Sequence, residues 1–258
     1  MSATGKLYLM PTPLDFGTLA ADAAPPDLQQ VLPLDVLQVA ARLPVWIAEN
    51  AKTARAFLKR VHGVVPLQQP LQALLIQELP RPAKGGHKPV AAVPLDPLLA
   101  AAQKGQDTGL VSEAGMPAVA DPGAQVVRRA HELGIEVVPL VGPSSLLLAL
   151  AASGMNGQSF AFVGYLPVEE AARGARIREL EACARRSGQT QMMIETPYRN
   201  TALMQALLTH LQPATRLSVA CGLTLAGGWN RSLSVQDWKR GSRALPSDVP
   251  AVFAIHGG

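Results

Sequence analysis

Cysteine is nearly absent from this 258-residue chain, which has only Cys183 and Cys221. Two such residues cannot build a disulfide framework, and neither has a cysteine or histidine neighbour at zinc-site spacing, so free thiols and no bound metal are expected. Long apolar runs are missing too. No uninterrupted stretch approaches the roughly twenty residues that span a bilayer, and Met1 to Lys6 lacks the apolar segment of a signal peptide, so the expectation is a cytoplasmic protein with no membrane partner. Phosphate cradles are also absent. No G-x-G-x-x-G follows a strand-like stretch and no G-x-x-x-x-G-K-[ST] occurs, which argues against a polyphosphate ligand held by a glycine loop.

What is present is apolar mass: 48% of residues are hydrophobic, enough for two domain cores. The net charge of +4, from 23 Lys and Arg against 19 Asp and Glu, says little by itself. Its distribution says more, because Thr196 to Arg243 carries Arg199, Arg216, Arg231, Lys239, Arg240 and Arg243 against the single acid Asp237. That span is either a face for nucleic acid or an ordinary solvated one.

The most informative stretch is Leu110 to Gly142. Leu110-Val111 ends a strand, and Ser112 to Gly123 is punctuated by Gly115, Pro117, Pro122 and Gly123 as a loop. Helical spacing of Val126, Val127, Ala130 and Leu133 follows, with Gly134 as the stop, and Ile135 to Val141 reads as a buried strand. This is a βαβ unit, with parallel strands and its loop at their carboxyl ends, where open α/β sheets bind ligands. Gly142-Pro143-Ser144-Ser145 repeats the device and leads into an apolar helix to Ser153. The Glu113 carboxylate, the Ser144 and Ser145 hydroxyls and backbone freed by glycine and proline suit a polar ligand; a plain βα connection with a surface acid is the alternative.

The remaining pattern predicts strands over Lys6–Met10, Val45–Ala48, Leu71–Gln77, Phe160–Val163, Gln191–Ile194, Arg216–Ala220, Arg231–Ser234 and Val249–His256, with a turn at Gly227 to Asn230. It predicts helices over Asp35–Leu43, Ala51–Val61, Leu95–Lys104, Glu169–Arg186 and from about Asn200 to Leu211. The arginines of the Glu169–Arg186 helix either face RNA phosphates or pair along a wet helix. Glycines and Asn156 between Gly154 and Ser159 mark a boundary, giving α/β domains over 1–157 and 158–258 with a cleft between them.

Leu-Val-Ser-Glu-Ala-Gly-Met-Pro-Ala-Val-Ala-Asp-Pro-Gly at 110–123, Val-Val-Pro-Leu-Val-Gly-Pro-Ser-Ser at 137–145 and Phe-Val-Gly-Tyr-Leu-Pro at 162–167 resemble the tetrapyrrole-methylase superfamily of S-adenosylmethionine-dependent methyltransferases. Within it they look closest to the bacterial 16S rRNA (cytidine-2′-O)-methyltransferase family. Pro-Thr-Pro at 11–13 and Glu-Thr-Pro-Tyr-Arg at 195–199 extend the likeness.

The resemblance implies two α/β domains of that type with the cofactor cleft between them, and S-adenosylmethionine lined by Pro11, Glu113, Met116, Ser144, Ser145, Glu195, Thr196, Leu223 and Ala251. It also implies a homodimer, and ribosomal RNA or the small ribosomal subunit as partner through ribose 2′-O-methylation. A methylase for a small molecule such as a tetrapyrrole, and an inactive cofactor-binding homologue, are the alternatives. Four departures bear on the choice: Leu14-Asp15-Phe16-Gly17 where the family has an Ile-Gly-Asn-Leu type, Glu49-Asn50-Ala51-Lys52 for acid-Asp-Thr-Arg, Glu113 for aspartate, and Cys221 to Ala226 for a charged Thr-Lys sequence. The catalytic base stays unassigned among Glu49, Glu195 and His87, the last in a basic Gly-containing loop at Arg81 to Lys88.

Overall fold

The computed structural model describes residues 4–15, 26–80, 94–241 and 243–257. They divide into two compact units, Met1–Pro143 and Ser144–Gly258, each built on a five-stranded sheet with helices packed against it. The chain is therefore α/β in both halves.

In the first unit, strands β1 (Leu7–Met10), β2 (Val45–Ala48), β3 (Leu75–Glu78), β4 (Thr108–Val111) and β5 (Val137–Pro139) are ordered β3-β2-β4-β1-β5 and every pairing is parallel. The βαβ reading holds, with β1 inserted between β4 and β5. Helices α1 (Leu34–Arg42), α2 (Ala51–His62), α3 (Asp96–Gln103) and α4 (Gly123–Glu132) connect the strands. Strand side chains alternate between two cores: Tyr8, Met10, Trp46, Ala48 and Val111 pack with α1 and α2, while Leu7, Leu9, Ile47 and Leu110 pack with α3 and α4. Both faces are covered, so β1, β2 and β4 are buried along their whole length, as parallel strands generally are.

Two of the predicted strands are shorter than expected. Leu71–Ala73 forms a 3₁₀ turn, started by Pro70, before β3 begins at Leu75. The Ile135–Val141 segment pairs only over Val137–Pro139 at the edge of the sheet; the Leu140 N–H donates to the Leu9 carbonyl at 3.2 Å, so Pro139, which has no N–H, turns its nitrogen to the open edge, where proline is tolerated.

In the second unit, α5 (Ser145–Ser153), β6 (Phe160–Tyr165), α6 (Glu170–Ser187), β7 (Thr190–Glu195), α7 (Asn200–His210), β8 (Arg216–Cys221), β9 (Trp229–Ser234), α8 (Val235–Arg240) and β10 (Ala251–His256) follow in order. The sheet runs β6-β7-β10-β8-β9, parallel only between β6 and β7. Met193, Val219 and Phe253 face α6, α7 and α8, while Met192, Ala220, Val252 and Ala254 face Ala149 and Leu150 of α5. Helix α5 thus completes the core of the second sheet, whereas a boundary at 157/158 would group it with the first. The chain turns over Gly222 to Gly228, and Trp229 and Asn230 are already paired with Cys221 and Ala220. The short α8 went unforeseen although Ser234 and Asp237 form its cap, the Ser234 hydroxyl accepting from the Asp237 amide at 3.1 Å. Cys183 and Cys221 are free.

One close approach governs the first core. The fully buried Trp46 indole lies over Gly109, its register partner on β4, and a Cβ at Gly109 would sit 2.6 Å from two of the ring carbons. The indole nitrogen donates to the Leu43 carbonyl at 3.2 Å, so the ring is pinned from both sides. Gly109→Ala is expected to destabilise the protein by about 1–3 kcal/mol through overpacking, read as a fall in the urea midpoint without a change in slope.

Candidate functional site

Parallel strands deliver their following loops to one edge of a sheet, and in the first unit that edge collects Pro11-Thr12-Pro13 after β1, Glu49-Asn50 after β2, and Ser112 to Asp121 after β4. The β1 and β4 loops are tied together by reciprocal backbone bonds: Thr12 N–H donates to the Gly115 carbonyl at 3.0 Å and Gly115 N–H to the Thr12 carbonyl at 3.1 Å. Gly115 holds φ 75°, the left-handed region open to glycine at little cost, and its Cα faces Leu14 and the Pro143 carbonyl. At Gly142 a Cβ would lie 2.2 Å from that of Pro11, so the loop after β5 rests directly on Pro11.

Acidic groups converge on this edge. Glu113 projects outward, and its backbone N–H donates to the Glu49 carboxylate at 3.3 Å. Burial raises the Glu49 carboxyl above its ordinary range, with repulsion from Asp121 and Glu113 adding to the rise and the Glu113 N–H partly offsetting it. Asp121 closes the β4 loop by accepting from Ala118 N–H at 2.9 Å and Gly123 N–H at 2.6 Å. Burial raises its carboxyl too, against those bonds. Ala118 and Ala120 sit at φ 66° and 63°, strained for residues with a Cβ, and the Asp121 bonds hold that conformation.

The departure at Leu14-Asp15 has a structural role. Buried Asp15 takes both amino groups of Arg60 on α2, at 3.2 and 3.0 Å, and Arg60 also donates to the Pro26 carbonyl. Composition gave no hint of this pair, whose partners are far apart in sequence. Phe16 and Gly17, and the whole Arg81 to Lys88 loop with His87, lie outside the described residues.

In the second unit, Glu195 and Thr196 leave β7, Leu223 follows β8, and Ala251 begins β10 between them, paired to Glu195 on one side and Cys221 on the other. These four therefore share one end of the second sheet. Leu223 packs into the cluster formed with α5, whose first turn carries the half-buried Ser144 and Ser145. Glu195 is buried, and its Oε1 accepts from Arg199 at 2.6 Å and Thr196 N–H at 2.8 Å. A carboxylate committed in this way is a clamp on its loop. Burial of Glu49, by contrast, raises its affinity for a proton.

The basic C-terminal span is largely tied up within its own unit. Arg199 pairs with Glu195 and Arg240 with Asp237, and Arg216 donates to the Ser232 carbonyl. Arg231 donates to the Gly241 carbonyl and lies 5.2 Å over the Trp238 ring, while Arg243 lies 4.7 Å over Trp229. A count of charges along the chain cannot distinguish such arginines from solvated ones.

Comparison with known proteins fits this architecture. The family described as Tetrapyrrole (Corrin/Porphyrin) Methylases matches residues 32–228. A protein named ribosomal RNA small subunit methyltransferase I from Mesorhizobium japonicum is 31% identical over 218 residues, covering 84% of this chain and 63% of that protein. Its namesake from Neisseria meningitidis serogroup B is 41% identical over 114 residues, 44% of this chain and 38% of the relative. The chain thus spans less than two thirds of the length of these relatives. Among solved structures, uroporphyrin-III-C-methyltransferase from Thermus thermophilus superposes with a TM-score of 0.53 at 19% identity, over 98% of this chain and 94% of the other, a likeness of fold.

The Glu49 environment predicts an unusual pH dependence. Its raised carboxyl costs stability when ionised, so Glu49→Gln, which keeps an oxygen for the Glu113 N–H, should make the protein as stable as or more stable than the wild type at pH 7. The gap should close as pH falls from the raised folded value through the ordinary one near 4.5, where the wild-type carboxyl is also neutral. Urea melts at several pH values check this.

Proposed function

The chain belongs to the tetrapyrrole (corrin/porphyrin) methylase family, and from that premise we propose that it is an S-adenosylmethionine-dependent methyltransferase whose acceptor is a ribose 2′-hydroxyl of small-subunit ribosomal RNA. The observation that carries the chemistry is Glu49: a half-buried carboxylate at the carboxyl end of β2, raised by burial and oriented by the Glu113 N–H at 3.3 Å. The names of relatives from several bacteria support the RNA acceptor.

The residues present fit the cofactor. Exposed Glu113 offers a carboxylate to ribose hydroxyls, Met116 an apolar side chain, and the Thr12–Gly115 bridge with the Gly142–Pro11 contact fixes the backbone around them. In the second unit Ser144 and Ser145 offer hydroxyls, Thr196 adjoins the clamp made by Glu195 and Arg199, Leu223 packs into the cluster with α5, and Ala251 opens the strand between β7 and β8. We assign these nine residues, Pro11 included, to the cofactor's surroundings.

When bound, S-adenosylmethionine supplies a methyl group already activated by its sulfonium. The protein's tasks are then alignment and removal of the acceptor's proton. A 2′-hydroxyl is a weak nucleophile, and a base with a raised pKa takes its proton more effectively than an ordinary carboxylate. Glu49 fills that role in this reading, and Asp121, by holding the β4 loop, keeps the Glu113 N–H aimed at it. A cytoplasmic site of action follows from the substrate. A homodimer is part of the same reading, supported by Leu147 and Leu148 of α5, which remain 57% and 39% exposed.

Calorimetry should detect binding of S-adenosylmethionine and its demethylated product, and label from the cofactor should appear at a ribose hydroxyl of undermethylated small subunits. Glu49→Gln should lower turnover by at least about 10²-fold while leaving cofactor affinity intact. Label transferred to a tetrapyrrole and not to RNA would replace the acceptor, and cofactor binding without any transfer would reduce the protein to a binding homologue. A monomeric mass across a concentration series would exclude the dimer.

A further inference from the structure

The sequence from Asn50 to Gln77 contains no acid, yet it carries Lys52, Arg55, Lys59, Arg60 and His62, all on α2. Arg60 is spent on Asp15. The other four recur at intervals of three and four residues, which puts them on one face of the helix. All four are exposed, and among the described residues none of Lys52, Arg55 and Lys59 forms an ion pair. This stripe is about 15 Å long at 1.5 Å per residue.

Helix stability alone does not ask for all of it. Cations in the last turn complement the helix dipole, which accounts for Lys59 and His62, but Lys52 stands in the first turn, where positive charge is unfavourable and no acid of the helix offsets it. The first amides are served by Glu78, which accepts from Ala51 N–H at 2.7 Å, and by the Asn50 side chain. Lys52 therefore puts positive charge two residues beyond Asn50 and three beyond Glu49.

The other end of the stripe opens into a cavity of about 430 Å³, within the size range of small-ligand sites. Its lining combines Leu67 and Leu71 with Gln69, Gln72, Lys59 and His62. The His62 Nδ1 accepts from Leu67 N–H at 3.2 Å, which shapes the loop and leaves Nε2 to carry the ring proton as a donor. A lining that mixes leucines with glutamines suits the flat face and hydrogen-bonding edge of a nucleobase.

We propose that the Lys52, Arg55, Lys59 face of α2 tracks the phosphates of a single-stranded RNA segment and that the cavity at its carboxyl end receives one base of that segment. The proposal rests on the RNA-methyltransferase reading and adds to it a surface, made of none of the nine cofactor residues, by which the acceptor strand is held in register with Glu49. Charge complementarity selects the occupant: a stripe of cations without ion-pair partners among the described residues, beside a cavity lined by leucines and glutamines, favours a polyanion that carries bases.

The probe is a fluorescein-labelled single-stranded oligoribonucleotide of mixed sequence, followed by anisotropy over a range of salt concentrations with the full chain. Lys52→Gln/Arg55→Gln/Lys59→Gln should weaken binding at least tenfold near physiological salt and reduce the slope of log affinity against log salt by about 2, as expected for three lost phosphate contacts. Gln69→Ala/Gln72→Ala should weaken binding severalfold with the slope unchanged, the mark of base contacts. Calorimetric affinity for S-adenosylmethionine should be the same in both variants as in the wild type, which also verifies that they fold.

Wild-type binding of RNA with no loss in the triple variant would overturn the stripe and leave the methyltransferase reading standing. Equal loss in a control triple on α6, Arg173→Gln/Arg176→Gln/Arg186→Gln, would reduce the effect to bulk charge and overturn it likewise. An unchanged Gln69/Gln72 variant, or duplex RNA binding as tightly as the single strand, would overturn the base cavity. Failure of the wild type to bind any RNA while it binds the cofactor would instead defeat the RNA acceptor itself, and this surface with it.

Discussion

The two hydrogen bonds exchanged by Thr12 and Gly115 are the constraint on which the first unit's functional edge depends. Without them the loops after β1 and β4 would be independent excursions from two adjacent strands. With them, Gly115 is held at a positive φ, the Glu113 amide is presented to Glu49, and Pro11 is fixed as the surface on which Gly142 rests. Each consequence passes through backbone geometry, which is why glycine stands at both points of close approach.

Around that bridge the charged groups have divided roles. Asp15 with Arg60, and Asp121 with the Ala118 and Gly123 amides, use their charge to hold loops in place. Glu195 with Arg199 does the same at the edge of the second sheet. Glu49 differs, because burial raises its carboxyl, the Glu113 N–H orients it, and no cation pairs with it among the described residues. An acid whose proton affinity is raised by burial is suited to take a proton.

The basic residues divide in a similar way. Arginines of the second unit lie against tryptophan rings or donate to carbonyls, so their charge is partly spent on the architecture that bears them. Lys52, Arg55 and Lys59 along α2 form no ion pair among the described residues, and the same formal charge there is exposed.

Much of the architecture was legible in the sequence, because apolar periodicity is a local property and burial on both faces imposes it. Continuous apolar strands such as Leu7 to Met10 and Val45 to Ala48, the helix between Gly123 and Gly134, and the βαβ handover at Gly142-Pro143 could each be read from residue order, and the motif at Leu110 to Gly123 pointed to the family. Which strand lies beside which could not, since β1 enters between β4 and β5 from a distant part of the chain. Nor could the assignment of α5 to the second core, the Asp15–Arg60 pair, or the clamp that Glu195 makes with Arg199. Periodicity and turn chemistry act within a few residues, and the sequence by itself determined what they govern. Ion pairs, carboxyl burial and the exposure of a helix face arise only when distant segments meet, and those the tertiary structure decided.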